Sequence, residues 1–178
     1  MALLRQRVQC VRGDDYAMQI CVSGSPSGEA QGRQRLWLVC SDQRLRLHDP
    51  CTASLRACGE YGGHTDRIND AVACGGGGTG LVLTSSSDGT ARLWDERSPN
   101  AVQQFGAGGG PELFSACVDA QQSVVATGGA GGVVQLWDCR AGRQRCTLTD
   151  QHTDDVTRVR FQPPSFGELT GERSRTLG

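Results

Sequence analysis

Ser86, His64 and the aspartates around them supply the residue types of a serine nucleophile, its general base and an orienting acid. The serine, however, lies in LTSSSDGT, which lacks the Gly-x-Ser-x-Gly elbow that would expose its hydroxyl, and no pair of oxyanion donors can be identified beside it. No acyl-transfer activity is expected, and no other catalytic constellation takes its place. Gly75, Gly77 and Gly80 fit a Gly-x-Gly-x-x-Gly pattern, but LVLTSSS, which follows them, reads as a strand. Dinucleotide binding needs a helix N-terminus at that point to hold the pyrophosphate. All 18 basic residues are arginine, so Schiff-base and phosphate-loop lysines are excluded. Nine cysteines and three histidines contain no Cys-x-x-Cys pair, and neither a zinc site nor any other cofactor is expected.

The elements that position these residues follow from a repeat. Trp94-Asp95 and Trp137-Asp138 lie 43 residues apart, while His64-Thr65-Asp66 and His152-Thr153-Asp154 lie 88 apart, close to twice that interval. Two independent markers thus share a period of ~40–45 residues, which points to stacked structural units. Aligned on their ends, WLVCSDQRLRLHD (Trp37 to Asp49), LTSSSDGTARLWD (Leu83 to Asp95) and ATGGAGGVVQLWD (Ala126 to Asp138) each show an apolar strand, a small-residue turn and an alternating second strand. Asp88-Gly89 suits a two-residue type I′ turn, Gly131-Gly132 offers the same geometry, and Asp42-Gln43 is a poorer pair. Inner strands are expected at Tyr16–Val22, Arg67–Ala73, Leu113–Val118 and Val156–Phe161. Outer strands are expected at Ala53–Ala57, Ala101–Phe105 and Arg143–Leu148. No segment keeps a helical period over ten residues, so the fold class is all-β.

These motifs resemble the WD-repeat family of β-propellers over roughly Tyr16 to Phe161. The resemblance implies three complete four-stranded units, at about 15–58, 64–105 and 107–148, plus the first strand of a fourth at 151–161, forming an incomplete ring. It also implies a buried network of His64, Ser86, Asp88 and Trp94 that locks hairpin to loop in the second unit. The first unit has His48 where tryptophan is expected. The third keeps Trp137 but has Gly129 and Gly131 at the serine and aspartate positions. VLTSSSDGTARLWDER (Val82 to Arg97) resembles the longer WD-box of substrate receptors of cullin–RING ubiquitin ligases. There Arg97, and Arg140 at the matching place, would contact the ligase adaptor through a planar donor fork.

The family implies a non-enzymatic protein–protein interaction scaffold. Partners would meet loops such as Gly62–Arg67 and Gln151–Asp155 at the top of the blades, and their identity is not legible. A formal net charge of -1 argues against a nucleic-acid or membrane surface. Arg44/Arg46 and Arg158/Arg160 each put two guanidiniums on one strand face, which would suit a phosphate or an acidic partner. At this overall charge they are read as solvated strand faces with nearby carboxylates such as Asp154-Asp155. The opening residues are too short an apolar run for a signal peptide, which suggests reduced thiols and a cytoplasmic or nuclear location. Cys21, Cys74 and Cys117 fall near first-strand ends, as small buried hydrophobes do. Residues 162–178 lose all alternation and are expected to be a disordered tail. The expectation is the N-terminal half of a propeller from a truncated product. The alternative is a ring completed by two copies.

Overall fold

Short apolar runs broken by Gly, Asp and Ser every few residues can only pair with their immediate neighbours, and meandering antiparallel sheets result. The computed structural model describes residues 16–23, 34–50, 57–75, 80–149 and 152–162. The first sheet contains β1 Ala17–Ser23, β2 Arg35–Cys40, β3 Leu45–His48 and β4 Ala57–Tyr61. The second contains β5 Ile68–Cys74, β6 Leu81–Ser86, β7 Ala91–Asp95 and β8 Gln103–Phe105. The third contains β9 Leu113–Val118, β10 Val124–Gly129, β11 Val134–Asp138 and β12 Gln144–Leu148. Each sheet is ordered sequentially and is wholly antiparallel, with one 3-10 turn at Ala130–Gly132. The three sheets are propeller blades that do not close into a ring.

Two apolar seams join the blades. Trp37, Val39, Leu45 and Leu47 of the first sheet pack with Ile68, Ala71, Val82 and Trp94 of the second, with Tyr61 between them. The Tyr61 ring centroid lies 5.0 Å from Trp37 and 6.3 Å from Trp94. Leu83, Leu93 and Phe105 likewise meet Leu113, Ala116, Val125 and Trp137 across the second seam. The tryptophan of each later blade therefore faces the blade before it, so its burial holds two units together as well as one. An ion triad reinforces the first seam: Arg35 bonds Asp49 at 2.9 Å within its own sheet and Glu96 at 3.0 Å in the next.

Several details depart from expectation. The first outer strand is Ala57–Tyr61, not Ala53–Ala57; residues 51–56 lie outside the described set. Val156–Phe161 forms no ladder. It lies against the third sheet, with the Val156 N–H donating to the Gly129 carbonyl at 2.9 Å, but no second strand is present for it to pair with among the described residues. Most of the expected tail, 163–178, is also outside the described residues.

The turn at Asp88-Gly89 is not of type I′. Only Gly89 of the Asp88-Gly89 pair has positive φ, at 77°, and its N–H donates to the Ser86 carbonyl. This is a three-residue loop with a left-handed closing residue. Gln43, at φ 65°, occupies the same place in the first unit, whereas in the third Gly131 and Gly132 both have positive φ, at 76° and 74°, the pair that a type I′ turn requires. An added Cβ on Gly89 would sit 2.9 Å from the Gly110 backbone, so both conformation and space require glycine there.

Candidate functional site

The second blade holds a continuous chain of hydrogen bonds. The Trp94 Nε1–H donates to Thr84 Oγ1 at 2.9 Å, and Thr84 Oγ1 lies 2.8 Å from His64 Nε2. His64 Nδ1 lies 2.8 Å from Asp88 Oδ2. A carboxylate only accepts, so Nδ1 carries the imidazole proton and Nε2 accepts from the Thr84 hydroxyl. The chain therefore runs in one direction, from indole to carboxylate. Burial pushes His64 below the ordinary histidine range, outweighing the upward pull of the Asp88 carboxylate. Burial alone would raise the Asp88 carboxyl. Hydrogen bonds from Thr90, His64 and the Thr65 N–H outweigh it and hold Asp88 below the usual carboxylate range.

Ser86 is not a member of this chain, and Thr84 stands in the place expected for it. The Ser86 hydroxyl donates to the Asp66 carbonyl at 3.1 Å and accepts from the Asp88 N–H at 3.1 Å, closing the turn against the preceding loop. Ser86 and His64 are not bonded, so the ingredients of a serine triad are never assembled. Strand parity cannot separate Thr84 from Ser86, because both point to one face of β6. Depth separates them: Thr84 is level with the Trp94 indole, whereas Ser86 is at the loop. In the third blade the Trp137 Nε1–H donates to Thr127 Oγ1 at 3.0 Å, so that unit keeps the indole–hydroxyl pair although the histidine and aspartate are missing. In the first blade Trp37 rather than His48 provides the buried indole, donating to Ser23 Oγ at 3.1 Å.

The aspartates that follow the tryptophans cap turns. Asp95 Oδ1 accepts from the Arg97 N–H, and Asp138 Oδ1 accepts from Arg140 and Ala141 N–H groups. Those backbone bonds, joined by Arg145, bring the Asp138 carboxyl down to about 2. Arg97 is exposed, yet its Nε and Nη2 both bond the Asp95 carboxylate in its own turn, at 2.9 and 2.7 Å. Arg140 is exposed and makes no side-chain ion pair among the described residues. Arg44 pairs with Glu60, and Arg46 with Asp42. Cys74, Cys117 and Cys139 are buried, and burial pushes the Cys74 thiol up to about 12, far from a reactive thiolate.

A second polar array was not anticipated from the sequence. Gln19 of β1 donates to Asp70 of β5 at 3.0 Å, and the Ser115 hydroxyl of β9 donates to the same carboxylate at 2.8 Å. Arg160 adds bonds to Ser115 at 3.1 Å and Asp70 at 3.4 Å. One residue from each of four successive units thus enters a belt across the inner strands. The spacings of 51, 45 and 45 residues are a faint repeat signal, concealed because the four residue types differ.

A WD domain, G-beta repeat family model matches residues 55–95, the unit with the complete hydrogen-bond chain. The chain is 33% identical over 168 residues to WD repeat-containing protein GTS1 of Arabidopsis thaliana, covering 93% of this chain and 41% of the relative. It is 34% identical over 107 residues to the WD repeat-containing protein 89 homolog of Dictyostelium discoideum, covering 60% of this chain and 28% of the relative. It is 36% identical over 86 residues to the human nucleoporin Nup43, covering 46% of this chain and 23% of the relative. The matches thus span from about a quarter to two fifths of the length of these relatives.

Proposed function

Because the chain is a WD-repeat protein, we propose that it acts as a non-enzymatic scaffold that binds protein partners at the loop end of its blades. One observation carries this reading. The buried groups there with the chemistry for catalysis are bonded inward, His64 between Thr84 and Asp88 and Ser86 to the Asp66 carbonyl, leaving a braced set of loops. The loops brace one another: the Gly109 N–H donates to the Asp88 carbonyl, the Ser87 hydroxyl to Glu112, and the Gly131 N–H to Asp155. Such a surface is pre-organised for recognition at little ordering cost. A cytoplasmic or nuclear location goes with this reading, supported by the nucleoporin relative. Among the described residues no helix is long and apolar enough to cross a membrane. Affinity capture of the tagged chain from cells is expected to recover a reproducible set of proteins at defined stoichiometry, and recovery of none would refute the scaffold.

The ligase-receptor reading is the weaker one. The Arg97 fork that would meet an adaptor is engaged by Asp95, and opening that pair has a cost. Under this second reading, adaptor is recovered with the wild-type chain and lost with Arg97→Ala. Equal recovery from both would eliminate it.

A further inference from the structure

We infer that a hollow on the inner wall of the arc, where four units meet, binds an extended peptide that presents an apolar side chain beside a carboxylate. This rests on the scaffold reading and names a site and ligand chemistry for it. The hollow has a volume of about 350 Å³ and lies at the ends of the inner strands that follow the connecting loops. Its size falls within the range of small-ligand and side-chain pockets. Met18 and Phe114 supply its apolar lining above the buried Ile68, Gln19 and Asp70 its polar floor, and Arg158 its cationic edge.

The floor is already satisfied. Gln19 bonds Asp70 and both backbone groups of Ala71, and Asn69 bonds Ser87 and the Leu113 carbonyl. Three donors, from Gln19, Ser115 and Arg160, surround the buried Asp70 carboxylate, which therefore offers little to a cationic ligand. Arg158 differs from every one of these groups. It is exposed and forms no ion pair among the described residues, although Arg160 two positions later is paired with Asp70. Among the described residues lining the hollow, the one formal charge left open to a ligand is thus positive. Met18 beside it is 43% exposed, apolar surface that an inserted side chain would cover. Rigid floor, apolar wall and one unpaired guanidinium together select an acidic–apolar segment over a basic one.

The test is fluorescence anisotropy with three labelled peptides, Gly-Glu-Leu-Glu-Gly, Gly-Lys-Leu-Lys-Gly and Gly-Glu-Ala-Glu-Gly. The first is expected to bind at least tenfold more tightly than either of the others, and more weakly as salt is raised. Arg158→Glu should weaken it at least tenfold and Met18→Ala severalfold. Arg143→Glu, at the outer edge of the third sheet, should leave it unchanged. Unaltered tryptophan fluorescence would establish that the variants fold. Equal binding of the lysine peptide, no binding of any peptide, or indifference to Arg158→Glu would overturn the assignment. Partners captured equally by wild type and Arg158→Glu would remove this hollow while leaving the scaffold; no captured partner at all would remove both.

Discussion

Replacing Thr84 by valine keeps the shape of the residue but removes the hydroxyl that accepts from Trp94 and donates to His64. Two buried groups then lose their partner, at roughly 1–3 kcal/mol each. Ser86→Ala, which loosens one turn, should cost only about 1 kcal/mol, and Thr127→Val, which orphans the Trp137 indole alone, should fall between them. Urea denaturation of the three variants checks the order. His64 adds a pH dependence of definite sign. Its folded-state proton affinity is lowered, so below an unfolded pKa of ~6.5 the unfolded chain binds a proton that the folded chain resists. Its contribution is complete above that pH and is lost as the pH falls. Asp88, held low, adds a second loss only below ~4, the ordinary carboxylate range. Thermal midpoints measured from pH 7.5 to 5 should fall for wild type and stay flatter for His64→Gln, with His48 and His152 common to both proteins. An equal slope in the two would remove His64 as the cause. The histidine, aspartate and tryptophan were legible through the resemblance to the family's motif. The hydroxyl between them was not, because Thr84 and Ser86 share a strand face and differ only in depth.

The same limit governs the elements. Strand existence and order were readable in three units, since alternation survives in each and Trp-Asp in two of them, while edges moved by a few residues where bulges intervene, as between Ile68 and Asp70. Turn type was misread for a physical reason: Asp-Gly satisfies a two-residue turn, but here Asp88 is occupied in accepting four hydrogen bonds and only Gly89 takes the left-handed conformation. The first two hairpins therefore share one design with different fillers, while the third closes on two left-handed glycines. Gln43 bears its left-handed φ at a steric cost that glycine avoids. Gln43→Gly should stabilise by about 0.5–1 kcal/mol, and Gly89→Ala should destabilise by more than that. Paired denaturant midpoints would show it, and a loss of stability in Gln43→Gly would refute the shared loop geometry.

At the scale of the molecule, the blades are joined by apolar seams, the Arg35 triad and the inner polar belt, yet the arc has a free side. Ile20 is 62% exposed, while Ala71 and Ala116, at the equivalent positions of the next two inner strands, are 3% and 1% exposed under the preceding sheet. Ile20 and Val22, 62% and 52% exposed, form an apolar pair at strand spacing. Light scattering should therefore show concentration-dependent self-association that Ile20→Thr with Val22→Thr reduces. The central claim, that the loop end is a protein-binding face, has a direct test. Quantitative affinity capture would compare wild type with Arg67→Glu combined with Glu112→Arg, two exposed positions on neighbouring loops, and with Arg143→Glu away from them. The account predicts a discrete partner set retained by Arg143→Glu and lost by the loop variant. A partner set retained by all three proteins would contradict it.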